Sequence, residues 1–133
     1  MQFQFNDGGR AEAGFKGKAQ GDCACRAIAI ATGRPYREIY DLINQVAGEP
    51  VARKKVKRKV YEKILKDLGW NWVSTMKIGQ GCRVHLCREE LPTGILIVSV
   101  SKHLTTVIDG VIHDIFDPSR NGTRCVYGFY VQS

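Results

Sequence analysis

The sequence predicts an α+β domain in which helices come first and antiparallel strands follow. Apolar residues recur at helical spacing as far as Leu68, and from Trp70 onward the period becomes that of strands. Asp109-Gly110 is a strong turn signal between two of those strands. A chain of 133 residues is long enough for one domain with its own core. We therefore expect residues 1–133 to form a single domain with helices packed on one sheet.

Three helices are expected after residues 1–20, a Gly-rich polar segment that we expect to lie extended on the surface. The first helix is apolar nearly all round, which predicts that it is buried, and Gly33 can end it in the left-handed conformation. Pro35 occupies a favourable position to open the second. The third has apolar residues at every fourth position and ends at Gly69. The expected bounds are 22–33, 35–48 and 54–68.

Five strands are expected in the second half of the chain. Asn121-Gly122 adds a second turn signal to that of Asp109-Gly110. The expected strands span residues 70–78, 94–101, 104–108, 111–116 and 125–131.

Charge and cysteine content narrow the class of protein. A net charge of +7 permits an acidic partner without requiring one. No apolar run approaches the roughly 20 residues of a membrane helix, and residues 1–20 lack the apolar core of a secretory signal. We therefore expect a cytoplasmic protein that does not enter a membrane. Five cysteines, an odd number, predict reduced thiols in that compartment.

Cys23 lies at the start of the apolar helix. The partial positive charge at a helix N-terminus favours a thiolate, and only the thiolate is a good nucleophile. His103 stands at the start of a strand that leads into the Asp109-Gly110 turn, and the returning strand brings back Asp114 and Asp117. Cysteine, histidine and acid in this order are typical of nucleophilic acyl transfer.

On these residues the chain resembles the papain-like cysteine peptidase superfamily, and most closely the small bacterial leader-cleaving peptidase domains of bacteriocin exporters. The matching stretches are Asp22-Cys23, His103–Val107 and Asp117-Pro118. The chain is also similar to small phage and bacterial proteins with a GDC…KHL…DGVIHD…DPSR pattern. The resemblance covers the cysteine helix and the hairpin that carries histidine and acid.

This resemblance implies a papain-like fold with a central buried helix, bearing the cysteine, packed on an antiparallel sheet. It implies a cysteine peptidase or amidase that needs no cofactor and cleaves an amide or isopeptide bond of a protein or peptide through a thioester. Water would complete hydrolysis, whereas an amine would make the protein a transglutaminase-like transferase. The sequence leaves this choice open, together with the substrate and the oligomeric state.

The acid that partners His103 is open between two aspartates. A strict two-residue turn at Asp109-Gly110 pairs position 103 with position 116 and puts Asp114 on the face of His103. The resemblance implies Asp117 instead, because the family's separation of histidine and acid is typically even. A longer turn or a bulge would then bring Asp117 to that face. We expect Asp117 as the third catalytic residue and keep Asp114 as the alternative.

The oxyanion donor departs from the family pattern. Papain-like enzymes usually carry a Gln about six residues before the nucleophile, and Gly17 occupies that position here. Gln20, three residues before Cys23, is the candidate donor, beside the backbone N–H of Cys23.

Other cysteines and histidines have a structural interpretation. Cys25 is expected in the core, and His113 is expected to face away from Asp114. The alternative to this interpretation is a zinc site, formed by Cys82, His85, Cys87, Cys23 and Cys25. The paired Cys-x-x-Cys spacing of structural zinc is missing, and we expect no metal.

Residues 52–66, ARKKVKRKVYEKILK, are strongly basic. We interpret them as a solvated helix face with Val56, Val60 and Ile64 turned inward. The alternative is a patch that holds nucleic acid or an acidic protein, which would make the protein a non-catalytic papain-like binding module.

Overall fold

The computed structural model describes residues 1–17, 21–50 and 55–132. The described residues form three helices and one mixed six-stranded sheet, which confirms the predicted α+β class. The helices are α1 (Cys23–Thr32), α2 (Tyr36–Ala47) and α3 (Arg58–Asp67). The strands are β1 (Gln2–Phe5), β2 (Trp70–Ser74), β3 (Ile95–Val100), β4 (His103–Ile108), β5 (Val111–Asp114) and β6 (Gly128–Gln132).

The sheet has the order β1-β5-β4-β3-β6-β2. β1 pairs with β5 in parallel, and the remaining neighbours are antiparallel. A core cluster on one side joins the three helices to the sheet. A second cluster on the other side includes Leu86, Val98 and Val126. Both faces of the central strands are therefore buried.

Helix α1 packs against the centre of the sheet. Ile28 and its small neighbours are buried nearly all round, as the apolar run predicts. Gly33 ends the helix in the left-handed conformation with φ of 71°, and its N–H donates to the carbonyl of Ala29. The hydroxyl of Thr106 on β4 donates to the carbonyl of Ala27 at 2.7 Å. This bond fixes α1 against β4 at the level of the helix backbone.

Several bounds differ from the expected ones. β1 was not predicted as a strand, because four exposed residues gain their pairing only from β5, more than a hundred residues away. β2 ends at Ser74, and the chain then turns through Gly79 and Gly81, both at positive φ. β6 begins at Gly128, and Cys125 makes only an isolated bridge with His85. The third helix begins at Arg58, and residue 54 of its expected start lies outside the described residues.

A disulfide joins Cys82 to Cys125, with the two Cα atoms 5.8 Å apart. The prediction that all five cysteines are reduced is therefore wrong. The cause is the bridge between His85 and Cys125, which lays the loop before β3 on the segment before β6. A separation of 43 residues along the chain gives no sign of this contact. Cys23, Cys25 and Cys87 remain free thiols.

The zinc alternative is not supported by the described residues, among which no group of three or more His, Cys, Asp or Glu side chains could hold a metal ion. Cys82 forms the disulfide with Cys125 and is not a free thiolate ligand, and His85 and Cys87 both contact the Glu90 carboxylate. None of the helices in the described ranges is long and apolar enough to cross a bilayer.

Candidate active site

Cys23 is the first residue of α1, and its side chain is half-buried. The first hydrogen bond of the helix runs from the backbone N–H of Arg26 to the carbonyl of Asp22 at 3.0 Å. The N–H groups before Arg26 therefore have no acceptor one turn earlier in the helix. Together with the helix dipole they place positive potential at the Cys23 thiol.

His103 is the first residue of β4 and follows a two-residue turn, Ser101-Lys102, at the end of β3. Its Nε2 lies 2.7 Å from Asp114 Oδ2. An ionised carboxylate only accepts hydrogen bonds, so Nε2 carries a proton and Nδ1 is left for the thiol of Cys23, with which the imidazole interacts. The ring of Phe116 packs on the imidazole with centroids 5.0 Å apart. His103 thus lies between a thiol and a carboxylate.

The pKa values of this pair shift in opposite directions. Burial alone would lower the pKa of His103, but the hydrogen bonds and charges of Asp114 and Cys23 outweigh it and raise this pKa to about 9. Burial alone would raise the pKa of Cys23, but the imidazole outweighs it, helped by the backbone N–H of Leu104 and the charge of Arg26. The pKa of Cys23 therefore falls below its ordinary value. Both shifts favour a thiolate beside an imidazolium at neutral pH.

Asp114 is buried and accepts four hydrogen bonds of 2.7 Å. Its Oδ2 faces His103 and the hydroxyl of Thr105, and its Oδ1 faces Arg26 Nη1 and the backbone N–H of Ile115. Burial would raise the pKa of this carboxyl, but the hydrogen bond and charge of His103, followed by the other donors, lower it below its usual value. The carboxylate is therefore ionised and fixed in orientation.

The expectation that Asp117 partners His103 is wrong. The turn at Asp109-Gly110 contains two residues, and β4 and β5 pair from it without a bulge, so alternation brings Asp114 to His103. Asp117 lies beyond the end of β5, where its Oδ1 accepts the backbone N–H of Ser119 at 2.9 Å. The register that follows from the turn alone is confirmed, and the spacing that the resemblance implied does not apply.

Arg26 is a residue of the candidate site that the sequence did not predict. It is buried in α1, with Nε 3.0 Å from Asp22 Oδ1 and Nη1 2.7 Å from Asp114 Oδ1. Asp22 also accepts the hydroxyl of Tyr36 at 2.8 Å. A chain of alternating charges thus runs from Asp22 through Arg26 and Asp114 to His103. The available signal was an arginine inside an otherwise apolar run, because a buried guanidinium requires carboxylate partners.

The other free thiols lack this activation. Cys25 points into the core, as expected, and burial raises its pKa to about 12. The pKa of Cys87 is also raised, by desolvation and by its hydrogen bond with Glu90. Of the three free cysteines, Cys23 alone has a lowered pKa.

A cleft of about 80 Å³ opens beside the Cys23 and His103 side chains. Tyr61 from α3 and Val100 from β3 form part of its wall, and Lys55 and Lys102 line it as well. The volume is well below the roughly 300 Å³ at which small-molecule pockets begin.

Two further predictions concern Gln20 and His113, and the structure describes only His113. Gln20, the candidate oxyanion donor, lies outside the described residues. His113 pairs across the sheet with Thr106 and lies 3.5 Å from the Asn6 amide nitrogen through Nδ1, so it faces away from Asp114 as expected.

Comparison with protein-family models, curated proteins and solved structures finds no match to this chain.

Proposed function

We propose that the protein is a cysteine hydrolase that cleaves an amide bond of a peptide or protein through a thioester on Cys23. The observation that carries this proposal is the placement of His103 between the thiol of Cys23 and the buried carboxylate of Asp114. This is the arrangement of nucleophile, base and orienting acid that acyl transfer requires. The resemblance to papain-like peptidases adds support for the roles of Cys23 and His103, although it implied Asp117 as the acid.

In the proposed reaction the Cys23 thiolate attacks the carbonyl carbon of the scissile amide. The imidazolium of His103 donates its proton to the leaving amine as the C–N bond breaks, which leaves an acyl thioester and a neutral imidazole. His103 then takes a proton from water, the hydroxide adds to the thioester carbonyl, and the acid product leaves with regeneration of the thiolate. Asp114 keeps the imidazole oriented and stabilises its charged form throughout.

The oxyanion of each tetrahedral intermediate needs hydrogen-bond donors. The backbone N–H groups of Cys23 and Ala24 precede the first hydrogen bond of α1 and point out of its N-terminus. A negatively charged oxygen at that end is also stabilised by the helix dipole. Backbone donors of the first turn therefore supply this function without requiring a side-chain amide.

Thiol labelling tests the nucleophile. Limiting iodoacetamide between pH 5 and pH 9, followed by peptide mapping, should label Cys23 ahead of Cys87 at pH 6, because only Cys23 has a lowered pKa. The preference should disappear in His103→Ala. Cys87 in the same molecule is the internal control for reagent and pH. Equal labelling of both thiols with the pH dependence of an ordinary cysteine would overturn the proposal.

Acyl transfer is tested with p-nitrophenyl acetate. The proposal expects a burst of one p-nitrophenol per chain, an acetyl group on Cys23, and continued turnover as water hydrolyses the thioester. His103→Ala should lose the burst. Acetylation without turnover in water, but with release on addition of an amine, would indicate the transferase instead.

A binding function for α3 is the second candidate, favoured by its exposed basic surface. Val56, Val60 and Ile64 are buried as expected, so the lysines around them face solvent. Two of the basic residues pair along the helix, Arg58 with Glu62 and Lys63 with Asp67. Residues 52–54 of the basic run lie outside the described residues. A nucleic-acid binder should show affinity that falls steeply with salt and is unchanged in Cys23→Ala.

A further inference from the structure

The cleft beside Cys23 carries unpaired positive charge. Lys55 and Lys102 line it, both with exposed side chains, and neither pairs with a carboxylate within the described ranges. None of the described residues that line the cleft is acidic. Since the thiolate of Cys23 and the imidazolium of His103 cancel, the cleft keeps a net charge near +2 from its two lysines.

Lys102 occupies a position that disfavours its side chain. It is the second residue of the turn before His103, and its φ is 58°, in the left-handed region. Turns with this geometry favour glycine or asparagine there, because a Cβ atom is strained at positive φ. The other described non-glycine residues at positive φ are Asp109 and Asn121, whose residue types tolerate this conformation, and Arg120. In this turn Lys102 lies next to His103 in sequence and lines the cleft together with it.

We propose that the substrate carries a carboxylate within one or two residues of the scissile amide, and that Lys55 and Lys102 bind it. The inference rests on the proposed function, because it assigns a substrate class to the same cleft. The two ammonium groups that line the cleft beside Cys23 attract an anionic group of a molecule that binds there. The carboxylate is either an Asp or Glu side chain or the end of a peptide chain.

Small alkylating agents of different charge test the proposal without a known substrate. For Cys23, the rate constant of alkylation by iodoacetate is divided by the rate constant of alkylation by iodoacetamide. The thiolate fraction and the nucleophilicity of Cys23 affect both rate constants equally, so they cancel in this ratio. Cys87, which lies beside Glu89 and Glu90, gives the reference ratio in the same molecule. We expect the Cys23 ratio to exceed that of Cys87 and to fall about threefold to tenfold in Lys55→Gln/Lys102→Gln, as expected for two charges several ångströms away. Salt at 1 M should reduce the difference.

The matched control is Lys66→Gln/Lys77→Gln, which changes the net charge equally at two exposed lysines outside the cleft. Its ratio should match that of the wild type. Lys102→Gly should also lower the ratio while its urea midpoint is not lowered, because glycine adopts the turn conformation without strain. A ratio unchanged in Lys55→Gln/Lys102→Gln, or lowered equally in the control, would overturn the proposal.

The two sources of the carboxylate are separated by larger probes. N-iodoacetylglycine presents a chain terminus, N-iodoacetylaspartate α-amide presents a side-chain acid, and N-iodoacetylasparagine α-amide is the neutral control. The carboxylate that most accelerates labelling of Cys23 over the neutral probe identifies the source. Labelling by both acids no faster than by the neutral probe contradicts the proposal even where iodoacetamide shows an activated Cys23. Loss of that activation itself contradicts the proposed function instead.

Discussion

Arg26 Nη1 on α1 lies 2.7 Å from Asp114 Oδ1 on β5, and both side chains are nearly excluded from solvent. The helix that carries Cys23 is thus ion-paired to the same carboxylate that receives His103. Because α1 and β5 are far apart in the chain, this pair helps to fix the position of Cys23 relative to His103 through tertiary structure. Arg26 is a positioning residue in this arrangement.

Replacement of Arg26 should be costly. Arg26→Met keeps much of the side-chain volume but leaves the Asp22 and Asp114 carboxylates without their buried cation. We expect the free energy of unfolding to fall by about 3–5 kcal/mol, as for other broken buried ion pairs. Urea unfolding measures the loss. Arg34→Met, which breaks an exposed pair with Glu38, should cost less than about 1 kcal/mol, and similar losses in the two variants would refute the role assigned to Arg26.

Asp114 and Asp117 should differ sharply on substitution. Asp114→Asn removes the charge that raises the pKa of His103, so this pKa should fall and the labelling of Cys23 at pH 6 should decrease by about tenfold or more, one pKa unit being a factor of ten. Asp117→Asn should leave the labelling profile unchanged, because its carboxylate contacts the N–H of Ser119. Iodoacetamide kinetics from pH 5 to pH 9 compare the two. A larger decrease in Cys23 labelling in Asp117→Asn than in Asp114→Asn would indicate that Asp117 is the acid that partners His103.

The raised pKa of His103 predicts a pH dependence of stability. Burial opposes the rise, but Asp114 and Cys23 hold this pKa near 9, above its ordinary 6.5. In a Cys23→Ala chain the thiolate no longer contributes, and Asp114 alone raises the pKa. The stabilisation is then complete below pH 6.5 and is lost as pH rises through the folded-state pKa, by about 1–2 kcal/mol.

Urea unfolding of Cys23→Ala from pH 6 to pH 10 measures this loss. The matched control is Cys23→Ala with His103→Gln, in which the pH-dependent part should vanish. Equal slopes in both chains would mean that other groups cause the dependence.

The disulfide should contribute to stability independently of the active site. Cys82→Ser/Cys125→Ser removes a link that closes a loop of about 40 residues, and we expect a loss of about 2–4 kcal/mol. Cys87→Ser, a free thiol in the same region, should change stability by less than about 0.5 kcal/mol. The masses of the alkylated protein with and without prior reduction give the number of thiols held in a disulfide. A chain with five alkylatable thiols without reductant would show that the bond does not form.

Short-range chemistry in the sequence was sufficient to predict much of this molecule. The apolar run of α1, its end at Gly33 and the strict turn at Asp109-Gly110 depend on residues close together in the chain, where backbone stereochemistry and burial act locally. The positions of Cys23 and His103 at the starts of α1 and β4 follow from the same signals.

Tertiary structure alone decided the contacts between distant parts of the chain. Arg26 meets Asp114 across 88 positions of sequence, Cys82 meets Cys125 across 43, and β1 joins β5 from the other end of the chain. Such contacts depend on how the helices and the sheet pack. The pattern of residues along the sequence does not give the distances between these elements in space. Periodicity and the turn at Asp109-Gly110 therefore placed Cys23, His103 and Asp114 on their elements, whereas the packing of α1 on the sheet brought Cys23 to His103 and Arg26 to Asp114.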